Sequence, residues 1–221
     1  MNPRRAQRRL LGAELAGILL LSACAGLAGP ASDGNEPDDA PAAADPAATA
    51  PPTPSASGQV SAVATVLQEG DGPPVLCLGG VAESFPPQCG GPEIAGWDWD
   101  AVEADSAQGT TWGEYAVEGT WDGETFHLTK AAAAPTERPA PPEDPRLDPD
   151  NAGSVAPDTP EPEAQALQND VFDDLDGLTG WIENGYVWVT VVYDDGSIQR
   201  YADDTYGADT VAVQSALRDV E

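Results

Sequence analysis

The chain has 221 residues, with 38 acidic side chains against 9 basic ones, one histidine and three cysteines, and a formal charge of −29. A surface that negative repels nucleic acid and anionic lipid headgroups, since both are held by clustered Lys and Arg. Nucleic-acid binding is thereby excluded, while cations, basic partners and high solubility are favoured.

The first stretch, "MNPRRAQRRLLGAELAGILLLSAC", places Arg4, Arg5, Arg8 and Arg9 ahead of the apolar run Leu15 to Leu21. A positive start followed by a short apolar core is the pattern of an export signal, too short to span a bilayer. The core ends in Leu21-Ser22-Ala23-Cys24, which resembles a bacterial lipobox. That likeness implies that residues 1–23 are removed, that the Cys24 thiol carries a diacylglycerol, and that the chain sits on the extracytoplasmic face of the membrane. "QRRLLGAEL" contains an arginine pair without the flanks of a twin-arginine signal, so both export routes stay open. The mature chain keeps 37 acids and 5 bases, a formal charge of −32. Eight arginines against the single Lys130, with abundant Ala, Gly, Pro and Asp, point to a GC-rich, actinobacterial source.

With Cys24 assigned to lipid, Cys77 and Cys89 remain as a pair in an oxidising compartment. The intervening "LGGVAESFPPQ" is rich in Gly and Pro and poor in regular-structure signals. A structural disulfide is expected there, because zinc needs four ligands and redox pairs usually lie two residues apart.

Residues 24–58 lack aromatic side chains and an apolar face, and they read as a disordered tether reaching on the order of 30 Å. Residues 59–130 read as a β-rich domain: "QVSAVATVLQ" and "PVLCLGG" as strands, then two runs around the turn Asp122-Gly123. A two-residue turn there pairs Trp121 with Glu124 and Gly119 with Phe126, placing His127 opposite Glu118. One face then carries Tyr115, Val117, Trp121, Phe126 and Leu128. The expected architecture is a small twisted barrel or sandwich, OB-like by analogy. Residues 131–161 read as a second disordered, Pro-rich linker.

Residues 162–221 mix element types. "PEAQALQNDVFDDL" has Leu167, Val171, Phe172 and Leu175 at helical spacing. "GWIENGYVWVTVVYDDGS" is a hairpin around Asn184-Gly185, "IQRYADDTYG" a short helix with a strand start at Ile198 as the alternative, and "DTVAVQSAL" a closing strand. The order α-β-β-α-β predicts a small two-layer α/β domain, so the whole chain is α+β.

The pieces "GDGPPVLCLGGVAESFPPQCGGPEIAGWDWD", "WGEYAVEGTWDGETFHLT" and "YDDGSIQRYADDTYGADTVAVQSAL" together resemble uncharacterised actinobacterial lipoproteins. The likeness covers both domains without the linkers; it implies export and anchoring and carries no activity. "LDGLTGWIENGYVWVTVV" is similar to the helix–hairpin of prosegments from secreted bacterial chymotrypsin-like proteases.

Candidate chemistry is sparse. A nucleophilic triad needs a general base, usually histidine, and His127 sits in a strand among threonines. Trp97 and Trp99 in "GWDWDA" alternate with aspartates, which makes them a candidate sugar-stacking ligand surface, with packing as core tryptophans the favoured reading. In "FDDLDGLTGWIE", Asp174, Asp176, Gly177 and Glu183 match calcium-loop positions, but Phe172 stands where the first carboxylate is required. No cofactor and no metal is expected. The reading that follows is a non-enzymatic lipoprotein that binds an extracytoplasmic protein or cell-wall component. Regulation of a secreted protease through the prosegment-like second domain is an alternative, and a carboxylate-based polysaccharide hydrolase is the other. The anchor is testable directly: labelled palmitate should enter the wild-type protein but not Cys24→Ala, which should leave the membrane fraction. Label persisting in the variant would overturn the assignment.

Overall fold

The computed structural model describes residues 50–137, 140 and 143–220; Cys24 and the stretch read as an export signal lie outside them. In chain order the strands are β1 (Val60–Glu69), β2 (Val75–Cys77), β3 (Glu93–Ala95), β4 (Asp105–Ala107), β5 (Thr110–Trp121) and β6 (Thr125–Leu128). They are followed by α1 (Glu161–Asp174), β7 (Thr179–Glu183), β8 (Tyr186–Val191), α2 (Ser197–Tyr206), β9 (Val211–Ser215) and β10 (Arg218–Asp219).

Period-two alternation makes β1 and β5 the long strands. Val60, Ala64 and Val66 point inward from β1, and Tyr115, Val117 and Trp121 from β5, as successive side chains on a strand must alternate between faces. All of β1 pairs antiparallel with β5, from Val60↔Gly119 to Glu69↔Thr110. That pairing closes β1-β2-β3-β6-β5 into a barrel in which β3 and β6 run parallel and the other neighbours antiparallel. It is a five-stranded Greek-key barrel of the OB type. Leu76, Ile94 and Phe126 complete its interior. Gly119 lets Phe126 enter: a Cβ there would lie 2.8 Å from the phenyl ring.

The β5–β6 register corrects the sequence reading. Trp121 pairs with Phe126 and Gly119 with Leu128, and His127 lies opposite Thr120 rather than Glu118. The turn is longer than two residues: the Asp122 carboxylate accepts from the amides of Glu124 (2.9 Å) and Thr125 (2.7 Å), and the β5–β6 register begins at Trp121 and Phe126. The slip is an even number of residues, so the expected inward face survives.

The second half has the order α1-β7-β8-α2-β9. The hairpin turns at Asn184 (φ 48°) and Gly185 (φ 77°), the left-handed pair that a two-residue turn between twisted strands requires. β8 and β9 are parallel, with α2 as the crossover. Val171 of α1, Leu175 just after it, and Ile198 and Ala202 of α2 pack on Val187, Val189, Val191, Val211 and Val213.

β8 is buried on its other face too. Trp188 is fully buried, stacked on Trp181 at 5.7 Å and 8° between planes, with the Arg146 guanidinium 5.2 Å above its ring. Arg146 belongs to the stretch expected to be a disordered linker, and this is a correction. Short 3₁₀ turns at Pro145–Leu147 and Pro149–Asn151 lay the chain over the hairpin. Arg146 bonds Asp144 through two nitrogens and also reaches Gln199 and the Val213 carbonyl. Asn184 donates to the carbonyls of Arg146 (2.8 Å) and Asp148 (2.7 Å), and Gly153 and Val155 donate to the carbonyls of Asn184 and Gly185. Main-chain hydrogen bonds, the Asn184 side chain and Arg146 order this segment, with Val155 its one apolar contact to the α/β core.

The two halves are not independent domains either. β10 pairs with β1, at Val60↔Asp219 and Ser61↔Arg218, so the last strand belongs to the barrel's sheet. Leu217, fully buried, and Tyr193, 7 % exposed, join the barrel core. Residues assigned to the tether are docked as well: Ala56 donates to the Trp121 carbonyl (2.9 Å), and the Trp121 indole donates to the Pro54 carbonyl (3.0 Å). Because the core is shared, Leu217→Ala should cost about 2–5 kcal/mol and lower both halves together. A thermal melt followed by tryptophan fluorescence and circular dichroism should show one coincident transition; two separated transitions would refute the shared core.

Candidate functional site

Where the barrel's end meets the end of β8 and the start of α2, an open crevice of about 550 Å³ is formed. Its barrel side is built by the feet of the disulfide loop, Gly79, Gly80, Gly90 and Gly91, and by the β5–β6 turn at Gly123 and Glu124. Its other side is the α1–β7 turn, Leu175 to Leu178, with Val191, Val192 and Tyr193. The Pro52–Pro54 strap forms one edge. Close approach explains the glycines: a Cβ on Gly79 would stand 3.0 Å from the Leu178 carbonyl, and one on Gly91 would run into that of Leu76. The result is a surface of main chain and apolar side chains, with the Glu124 and Asp176 carboxylates among its lining groups. Asp176 has a left-handed backbone (φ 51°) at the end of α1.

Cys77 and Cys89 are joined, with Cα atoms 5.7 Å apart, and the bond ties together the two glycine-bearing feet. The pairing expected from the sequence therefore also shapes the crevice. A signal for this was present in the sequence: each cysteine is followed closely by a Gly-Gly pair, "CLGG" and "CGGP". Sequence reasoning saw flexibility there and missed a backbone-lined wall.

Trp97 and Trp99 lie elsewhere, between β3 and β4. The segment is not extended at this point: a 3₁₀ turn at Trp99–Ala101 begins where Asp98 accepts from the Asp100 amide. The indoles meet edge to face, 5.3 Å and 73° apart, and both pack against Tyr115 and the barrel core. The Trp99 indole donates to Gln68, while the Trp97 indole nitrogen is buried without a partner among the described residues. The Tyr115 hydroxyl donates to the Glu103 carbonyl (2.6 Å), and burial, with Asp105 nearby, raises its pKa.

The acids that matched calcium-loop positions are separated. Asp174 accepts from the Tyr206 hydroxyl (2.9 Å), Asp176 lines the crevice, and Glu183 accepts from the Trp181 indole (3.1 Å). Burial and the Asp174 carboxylate push the Tyr206 phenol far up. Among the described residues no three His, Cys, Asp or Glu side chains are grouped to hold a metal ion. His127 is exposed and meets Asp122 at 2.7 Å.

Comparison with protein-family models, with curated proteins and with solved structures gives no match for this chain.

Asp122 governs the crevice rim, because its carboxylate holds the turn that carries Glu124. Amide bonds from Thr125, then His127, then the Glu124 amide lower its pKa to about 2. A carboxylate depressed on folding stabilises the fold fully above its unfolded pKa, about 4, and that contribution is lost as the pH falls towards 2. NMR titration should place the Asp122 midpoint near the lower value. Asp122→Asn should remove this part of the acid sensitivity, and an unshifted midpoint would show that the turn does not hold the carboxylate.

Proposed function

We propose that the chain is a lipid-anchored module on the extracytoplasmic face of the membrane. In this reading it binds, without catalysis, an extended segment of a protein or cell-envelope component in the crevice. The observation that carries it is the crevice's make-up. A wall of glycine main chain beside Trp121, Tyr193 and Val192 offers hydrogen-bonding backbone and apolar area, with few charged groups. Such a surface suits a chain lying lengthwise better than a compact charged ligand.

The strap supports the same reading. Pro52-Thr53-Pro54 already lies along the crevice edge, with an indole N–H donated to a proline carbonyl. Proline-rich segments are recognised through aromatic-lined grooves in this way, at low ordering cost because proline fixes φ. The strong negative charge adds a preference for a basic partner. Anchoring by Cys24 would set the crevice outside the membrane.

Gly90 gives a clean test, because a Cβ built on it meets nothing within 4 Å and it lines the crevice. Protein carrying a photo-crosslinking group at position 124 should join one reproducible partner in envelope preparations. Gly90→Trp, which fills the crevice, should abolish that product without lowering the melting temperature. An unchanged product would remove the crevice as the binding site.

A further inference from the structure

The three-stranded sheet β7-β8-β9 has two edges, and they are finished differently. Along β9 the Gln199 side chain donates to the Val211 carbonyl (2.9 Å) and accepts from the Val213 amide (3.0 Å). Arg146 reaches the Val213 carbonyl from the same side (3.3 Å). β7 has no such cover. Its hairpin turns in two residues, so Glu183 and Tyr186 form a hydrogen-bonded pair, and the alternation of an antiparallel ladder turns the main chain of Gly180 and Ile182 away from β8. The Gly180 carbonyl accepts from Gln168 of α1 (3.0 Å), while the Ile182 amide and carbonyl meet no partner among the described residues. A bare edge is a template for another strand, and native sheets blunt it with lysine, proline or a bulge. The stretch "TGWIE" has none of these, and Ile182 is 37 % exposed.

Trp181 lies between those two residues, at the position where a side chain on an added strand would come closest. One face of its ring is stacked on Trp188, and on the other no aromatic ring or cation stands among the described residues. The Trp181 indole N–H donates to the Glu183 carboxylate (3.1 Å), which fixes an anion beside that face. The far side of the same tryptophan pair shows what such a place holds. There, towards β9, Arg146 lays its guanidinium over Trp188 and is bonded by the Asp144 carboxylate. An indole face with a carboxylate beside it therefore occurs twice across this sheet, and in the first instance its occupant is arginine. The surroundings of β7 favour a cation too: α1, which packs against the strand, carries Glu161, Glu163, Asp170, Asp173 and Asp174 and no basic residue.

We propose that β7 is a docking edge for an extended, arginine-bearing segment of a partner protein. The segment adds antiparallel as a fourth strand bonded to the Ile182 main chain, with its arginine over Trp181 and paired with Glu183. Main-chain bonds supply affinity for any extended chain, and the Trp181–Glu183 pair supplies the choice of side chain. A planar guanidinium stacks on indole and bonds a carboxylate at once, which the compact ammonium of lysine does less well. A second copy of this chain is a poor occupant, because pairing two such edges would set Glu183 and the acids of α1 against their own kind. The site shares no residue with the crevice, whose lining on this side ends at Leu178, so either reading can fail without the other.

The probe is a fluorescent peptide about eight residues long, alternating threonine and valine around one central arginine, which spans β7 when extended. Wild type should bind it, less well as salt is raised, and the Ile182 amide should gain protection from hydrogen exchange in the complex. Norleucine in place of the arginine, or Glu183→Gln in the protein, should weaken binding by about tenfold. Ile182→Pro removes an amide that faces away from β8; it should abolish binding at unchanged melting temperature, since proline is tolerated on an edge. Gly90→Trp should bind like wild type. Absence of binding by wild type, equal binding of the norleucine peptide, or binding lost in Gly90→Trp would each overturn the proposal. So would binding unmoved by Glu183→Gln, a change of one exposed atom that leaves the fold intact whatever the proline does. Sedimentation in which wild type pairs with itself and Ile182→Pro does not would assign the edge to a second copy instead.

Discussion

The path of the chain after β9 constrains the whole arrangement. From Ser215 it crosses at Ala216 and Leu217, bonding the carbonyls of Val191 and Val192, and then runs beside β1 as β10. Leu217 is fully buried with barrel residues although the strand before it, β9, belongs to the α/β sheet. Burying one such side chain contributes roughly 1.5–3 kcal/mol, and the Tyr193 hydroxyl adds a bond to Asp219 at 3.1 Å. Separating the layers would expose both residues and break the β10–β1 ladder. The crevice follows from this docking: the layers are held at a fixed spacing, and glycines stand where they come closest.

Much of the architecture was legible from periodicity. The helical spacing of Val171 and Leu175, the Asn184-Gly185 turn and the alternation along β1 and β5 each determine an element, and all are found. The β5–β6 pairing shows why face assignment outlasts register: the turn was misjudged, yet an even slip leaves the same side chains inside. β2 and a small barrel or sandwich were expected, but β3 and the route of closure were not legible: β3 has three residues, too few to show alternation, and its partners β2 and β6 make it a strand.

The ordered stretch from Asp144 to Val155 was missed for a different reason. Composition measures whether a segment can bury an apolar face, and this one has none. Its order comes from carbonyls and amides meeting the hairpin tip, and from Arg146 spanning Asp144, Gln199 and Trp188. The neighbouring run "YVWVTVV" carried the missing hint, since continuous apolar character means burial on both faces. Two helices cover one face of β8, so something else had to cover Trp188. At the candidate site the disulfide was readable from cysteine parity. The crevice was not, because a glycine wall has no side-chain pattern to read.

The strap at Pro54 and Ala56 also decides how the protein bears load. Tension applied to the chain ahead of residue 50 meets first the two hydrogen bonds to Trp121, at the indole and at the main-chain carbonyl. Behind them lies β1, which β5 flanks along its whole length, while β10 holds its first two residues and β2 its Thr65–Leu67 stretch on the other side. Pulling it out breaks the long β5 ladder as well as both short ones. The strap therefore behaves as a mechanical fuse, opening under modest force and lengthening the lead while the barrel stays closed.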